Sequence, residues 1–462
     1  MTKTVSVAER LAQSIHAAVV EPVRDEAVLH AAERILLDTL ACAMAGVNAA
    51  PVRAVRQWAR MIGGQPHARI LGTAETSSVL GAALCNSTML RHVDMNDCDW
   101  ARDPAHPSDN IGGCLAVGEV TDASPLQVLT AILVAYEVQM RTTEFTKVSF
   151  FKKTGWDHTT FVTLASAVSA GVQLRLNPAR LAHAIAIAGS YPVPGQVRVG
   201  QISMMKAASA GLAVSRGIEA AYLAANGVTG PLDVFEGKRG LSKLVFGECD
   251  WDVLAGPVEA WRLPRTCLKQ YPAAYVIHSS IDAALGLRRE NGFRPEDIEA
   301  VEVAAFGWLL EDMVHGMGGT SRYEIDARET ADHSLPYCVG VSLLDGDYHL
   351  GQLDARRWEA PDLKAMLAKV VCVHDPSMDG GFPANRPTRV TVRLRNGATV
   401  SKHVPFPKGD PRNPLTDADI ADKFHRLAGD RLSPAVRKRV IATALDFRNS
   451  SLADLMAACT TV

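Results

Sequence analysis

EAVLHAAERILLDTLACAMA, residues 26–45, decides the fold class. Val28, Leu29, Ala32, Ile35, Leu36, Leu40 and Ala43 fall on one stripe at helical spacing, and Gly46 follows as a stop. The same style runs outward in both directions through the first 260 residues. Segments 76–92 and 110–121 are rich in Ala, Gly, Cys and other small residues, which let neighbouring helices approach closely. Residues 125–141 open on Ser124-Pro125, a favoured helix start. Segments 159–173, 178–189 and 204–225 continue the pattern. No alternation of strand with helix occurs here, which argues against a doubly wound sheet.

The character changes near residue 257, where Pro257, Pro264 and Pro272 punctuate a short stretch. Beyond it, VEVAA (301–305), KVVCV (369–373) and RVTVRL (389–394) read as strands. Asn396-Gly397 reads as a hairpin turn into ATVSKHV (398–404). Helical segments at 274–290 and 333–345 lie between. The expectation is a mostly α protein with two domains. A large all-helical domain takes residues 1–265 with 406–462, and a smaller α+β domain takes 266–405.

Composition narrows the function. The chain has 462 residues, 48 Lys+Arg against 50 Asp+Glu, and a formal net charge of −2, so it lacks the basic surplus of a general nucleic-acid binder. Its amino terminus has no unbroken apolar core of the signal-peptide type, and no uncharged run approaches the ~18–20 residues of a membrane span. A soluble, cytoplasmic protein is expected. The nine cysteines are scattered without a C-x-x-C, so a disulfide framework and a paired zinc or iron–sulfur site are not expected. Gly316-Met-Gly-Gly319 lacks the order of a phosphate-binding loop.

The densest polar cluster is D-M-N-D-C-D-W-A-R-D-P-A-H-P-S-D-N, residues 94–110, which interrupts two apolar helices. A loop after a packed helix suits catalytic groups, although Asp and Asn are also ordinary turn formers. Asp94 and Asp97, three apart, share a face if the turn is helical. Ser108 or Asp109 is placed to cap the next helix. His106 and His158 are groups that exchange protons near neutral pH. Lys206 sits in an otherwise apolar stretch, where a lysine must snorkel or face a polar cavity.

D-M-N-D-C … H-P-S-D-N resembles the D-F-[ND]-D-T … H-P-S motif of the MmgE/PrpD family, which contains 2-methylcitrate dehydratases, cis-aconitate decarboxylase and iminodisuccinate epimerase. Gly155-Trp-Asp-His158, Met205-Lys206-Ala, Leu268-Lys269-Gln-Tyr-Pro272 with His278, and Asp332-His333-Ser-Leu-Pro-Tyr337 match in the family's order. The resemblance implies a helical domain with a smaller α+β lid, a homodimer, an active site in the interdomain cleft, and chemistry that needs no metal or cofactor. It implies catalytic roles for His106, His158, Asp94 and Tyr337, and substrate contacts for Lys206, Lys269, Cys98 and His278, with His333 close behind them. Cys98 stands where many members have Thr; a thiol is the weaker donor, and acidic neighbours disfavour a nucleophilic thiolate. The function implied is a metal-independent lyase on a small di- or tricarboxylate, best matched by a 2-methylcitrate-type dehydratase. A decarboxylase, an epimerase, or a ligand-binding homologue without catalysis are the alternatives.

Overall fold

The stripe at 26–45 forms the helix Glu26–Gly46 in the computed structural model, which describes residues 5–149, 155–197 and 203–460. Asp25 caps it, its carboxylate accepting from the backbone N–H groups of Ala27 and Val28. Leu36 and Leu40 are fully buried, each contributing about 1.5–3 kcal/mol relative to exposure. Helix accounts for 58% of the described residues and strand for 9%, so the protein is mostly α. Among the described residues, no single helix is long and apolar enough to cross a membrane.

The chain divides into two units. The first takes in residues up to Val197, Met204–Thr266 and the residues from Thr416 onward; the second is built on Cys267–Leu415.

The first unit is helical. Its centre is Met205–Ala225, which packs against both Val79–His92 and Thr159–Gln173. Two glycines set that closeness. A Cβ at Gly211 would lie 2.4 Å from the carbonyl oxygen of Leu84, and one at Gly217 would lie 2.4 Å from that of Thr163. Only glycine fits at either crossing. Ile111–Val120 and Pro125–Thr142 complete the surround. As a result, four chain ends come to one region: the end of Val79–His92, the starts of Ile111–Val120 and Thr159–Gln173, and the start of Met205–Ala225.

The carboxy-terminal helices return to this unit and are held there by buried charge. Asp417–Ala428 packs on Glu26–Gly46. The Arg448 guanidinium forks onto Glu33, with Nε to Oε1 at 3.0 Å and Nη2 to Oε2 at 2.7 Å.

The second unit holds a four-stranded sheet in the order Val370–His374, Ile298–Ala305, Thr388–Leu394, Thr399–Val404. The first pair is parallel and the other two are antiparallel. Thr388–Leu394 alternates buried and less buried positions, as a half-covered strand must. The helix His278–Asn291 packs on it and on Thr399–Val404. Gly397, in the Asn-Gly turn, has φ +87°. The division falls at 415/416, ten residues past the expected return at 406. Residues 406–415 stay with the second unit because Leu268 donates its backbone N–H to the Gly409 carbonyl at 2.9 Å, and Gly409 in turn packs against the Leu268 carbonyl.

Candidate active site

Asp94 follows the last turn of Val79–His92 with φ +53°, a left-handed conformation that few residues other than Gly, Asn and Asp adopt readily. That reversal ends the helix, so Asp94 and Asp97 do not share a helical face; each carboxylate faces its own set of partners. Asp94 is buried between two cations. Arg91 Nη1 donates to Oδ1 at 2.8 Å, and Lys206 Nζ lies 3.0 Å from Oδ2. Lys206, at the start of Met205–Ala225, is only 6% exposed. Its charge is met inside the protein, and it does not snorkel to solvent.

Asp97 turns to the next segment. Its Oδ1 accepts from the Ser108 hydroxyl at 2.6 Å and from the Ser108 backbone N–H at 3.2 Å. Ser108 therefore does not cap the following helix; Pro107–Asn110 forms a 3-10 turn before Ile111–Val120, and neither start has a side-chain cap. Asn96 ties the same turn down, donating to Ser108 Oγ at 3.0 Å and to Asp109 Oδ1 at 3.2 Å. Asn110 bonds Gln139 and accepts from Ser166, both at 2.6 Å, which anchors the turn to two helices.

The two histidines meet here. His106 Nδ1 lies 2.6 Å from the Asp97 carbonyl oxygen. A carbonyl only accepts, so Nδ1 carries the hydrogen and Nε2 is the basic nitrogen of the neutral ring. The His158 ring stands edge-on to it, with centroids 5.2 Å apart and planes at 71°. His158 immediately precedes Thr159–Gln173, whose first turn is capped by the neighbouring Asp157 through Thr159 N–H at 2.9 Å. Both histidines are more than nine-tenths buried. Cys98 is buried in the same loop, its thiol 3.7 Å from the Asp99 carbonyl.

Burial pushes the Asp97 carboxyl up to about 6, against the hydrogen bonds from Ser108 and Tyr136, and the charge of Asp38 adds to the rise. The native state thus holds a proton that the unfolded chain releases near its ordinary value of about 3.9. Between about pH 4 and 6 the native state binds more protons, so this group's contribution to stability falls as pH rises through that window. Asparagine keeps the oxygen that accepts from Ser108. Asp97→Asn is expected to gain on the wild type by up to about 3 kcal/mol between pH 4 and 7, read by urea unfolding at each pH. A difference that stays constant with pH contradicts this assignment.

The remaining expected residues lie in the second unit. Lys269 is 1% exposed. His278 is fully buried, its Nε2 3.3 Å from the Ala273 carbonyl and its ring against Tyr271 and Tyr275. His333 Nδ1 bonds the Asp332 carboxylate. Tyr337 is packed against Tyr348 and Trp358, and its phenol donates to the Gln352 carbonyl at 3.4 Å. Burial pushes that phenol well above its ordinary range.

Arg91, Asn96 and Ser108 did not stand out as site residues in the sequence. Arg91 had a signal: it lies three residues before Asp94, the spacing of a helical ion pair.

Two family models match successive parts of the chain. The MmgE/PrpD N-terminal domain matches residues 9–254 and the MmgE/PrpD C-terminal domain matches 271–447. The chain belongs to the MmgE/PrpD family. It is 26% identical to the 2-methylcitrate dehydratase of Cupriavidus necator over 405 residues, 82% of this chain and 81% of that protein. It is 25% identical to the cis-aconitate decarboxylase of Mus musculus over 442 residues, 92% of this chain and 88% of that one. The 2-methylcitrate dehydratase-like protein oryR of Aspergillus oryzae is 27% identical over 437 residues, 87% of this chain and 85% of the relative.

Proposed function

We propose that this protein is a lyase that eliminates water from a small hydroxy-polycarboxylate of the 2-methylcitrate type. The observation that carries the reading is the buried His106–His158 pair, with the His106 tautomer fixed by a backbone carbonyl, in the helical unit that also holds the Asp94–Lys206 ion pair. His106 Nε2 takes the proton from the carbon next to a substrate carboxylate. The electron pair left behind forms the carbon–carbon double bond as the β-hydroxyl departs. His158 gives that hydroxyl its proton, and it leaves as water. Each of these transfers is worth roughly 10²–10⁴ in rate.

Lys206 serves as the cation for a substrate carboxylate. An ammonium has three N–H donors, so Lys206 holds a carboxylate while paired with Asp94, and its charge stabilises the developing carbanion. Tyr337 is not given the acid's role in this reading, because its phenol is already engaged with a backbone carbonyl. Cys98 takes a place in specificity, since a thiol bonds a substrate oxygen more weakly than a hydroxyl does.

Decarboxylation is the second reading, favoured by the similarity to cis-aconitate decarboxylase over 92% of the chain. It uses the same electrophilic stabilisation but breaks a carbon–carbon bond. Proton NMR of 2-methylcitrate, citrate and cis-aconitate with the purified protein separates the two. An alkene formed from a hydroxy acid is the expected product. Loss of CO₂ from cis-aconitate without hydration would replace the dehydratase reading with the decarboxylase.

A further inference from the structure

Lys423 lies on the buried stripe of Asp417–Ala428, between Ile420 and Phe424 and in line with Leu427. An apolar residue is the ordinary occupant of such a position. The side chain is 8% exposed, and its ammonium makes two short hydrogen bonds, to Asp38 Oδ1 at 2.7 Å and to the backbone carbonyl of Met95 at 2.6 Å. Met95 is the residue between Asp94 and Asn96, and 328 residues of chain separate it from Lys423. Two residues further on, the Asp97 carbonyl receives His106 Nδ1. At the start of the same loop, the Asp94 N–H donates to the Arg91 carbonyl at 3.3 Å.

We infer that Lys423 is a positioning residue for the reaction: the carboxy-terminal helix reaches back to clamp the Met95 carbonyl and so fixes the turn that presents Asp94 to Lys206 and the Asp97 carbonyl to His106. The inference rests on the acid–base reading of that histidine. Asp38, fully buried on Glu26–Gly46, orients the ammonium. The clamp gives the return of the chain to the helical unit a chemical purpose beyond burial. Without it, a buried carbonyl loses its donor and the turn loses its anchor at Met95. A misplacement of about 1 Å at a reacting group costs on the order of 10²-fold in rate.

The test uses the full-length protein with Lys423→Met and Lys423→Arg. Crystal structures of both and of the wild type are compared at residues 93–110. In Lys423→Met the Met95 carbonyl is expected to move and the His106 Nδ1 to Asp97 oxygen distance to exceed 3.5 Å. In kinetics on 2-methylcitrate, Lys423→Met is expected to lose about 30-fold or more in kcat with KM within about threefold. Lys423→Arg, which keeps donors to both acceptors, is expected to recover most of that loss. An unmoved turn with the 2.6 Å bond to His106 intact overturns the inference. So does an equal kcat loss in both variants that tracks an equal loss of thermal stability. If the wild type is silent on 2-methylcitrate, the functional reading fails and the crystal structures alone decide the clamp. Should Lys423→Met not fold, Lys423→Gln, with a neutral donor on a shorter stem, takes its place in both measurements.

Discussion

His106→Ala is expected to lower kcat by two or more orders of magnitude while the protein remains folded. The tautomer of this ring is set by the backbone: Nδ1 donates to the Asp97 carbonyl at 2.6 Å, which leaves Nε2 to accept. Alanine removes the proposed base, and general base catalysis of this kind is worth about 10²–10⁴. The structural cost is a buried carbonyl that loses its donor, about 1–3 kcal/mol, plus a small cavity, which leaves a folded protein. Steady-state kinetics and a melting curve together read both halves. Wild-type turnover in the variant would remove His106 from the mechanism, and a collapse of the melting curve would make it a structural histidine.

Asp94→Asn should produce the largest loss of stability of any single change in this region. Asp94 is the shared counter-ion of two buried cations, Arg91 at 2.8 Å and Lys206 at 3.0 Å. Neutralising it removes the charge that both cations share, and breaking a buried ion pair from one side costs about 3–5 kcal/mol. Asparagine tolerates the left-handed backbone at this position, so the loss reports charge and not strain. Lys206→Met is expected to cost less, because Asp94 keeps Arg91 and a buried cation is removed along with the bond. Urea unfolding of the two variants ranks them. A loss below about 1 kcal/mol for Asp94→Asn, within the range of exposed pairs, would contradict the buried-pair account.

Local patterns carried much of the fold. The stripe at 26–45 is the helix Glu26–Gly46, and the segment 159–173 is the helix Thr159–Gln173. Segment 76–92 yields its helix only from Val79, because Thr76 and Ser77 pair with Ala68–Arg69 in a two-residue ladder instead. The strands expected at 369–373 and 389–394 are Val370–His374 and Thr388–Leu394. Their order was not legible, since the parallel pairing of Val301 with Val370 joins residues far apart in the chain. The site divides in the same way. His106 and His158 were visible as motif residues, but the bond that fixes the His106 tautomer comes from a main-chain carbonyl, which no side-chain pattern encodes. The left-handed turn at Asp94 separates two carboxylates that helical spacing would have kept together. Lys423 left a trace, a lone lysine on an apolar stripe, but its partners Asp38 and Met95 lie at the other end of the chain.

The most direct measurement is a crystal structure with tricarballylate, a tricarboxylate that lacks the hydroxyl to be eliminated. The account predicts one carboxylate within hydrogen-bond distance of Lys206 Nζ and the adjacent methylene carbon facing His106 Nε2. Tricarballylate bound away from both residues would contradict the assignment of this cluster as the active site.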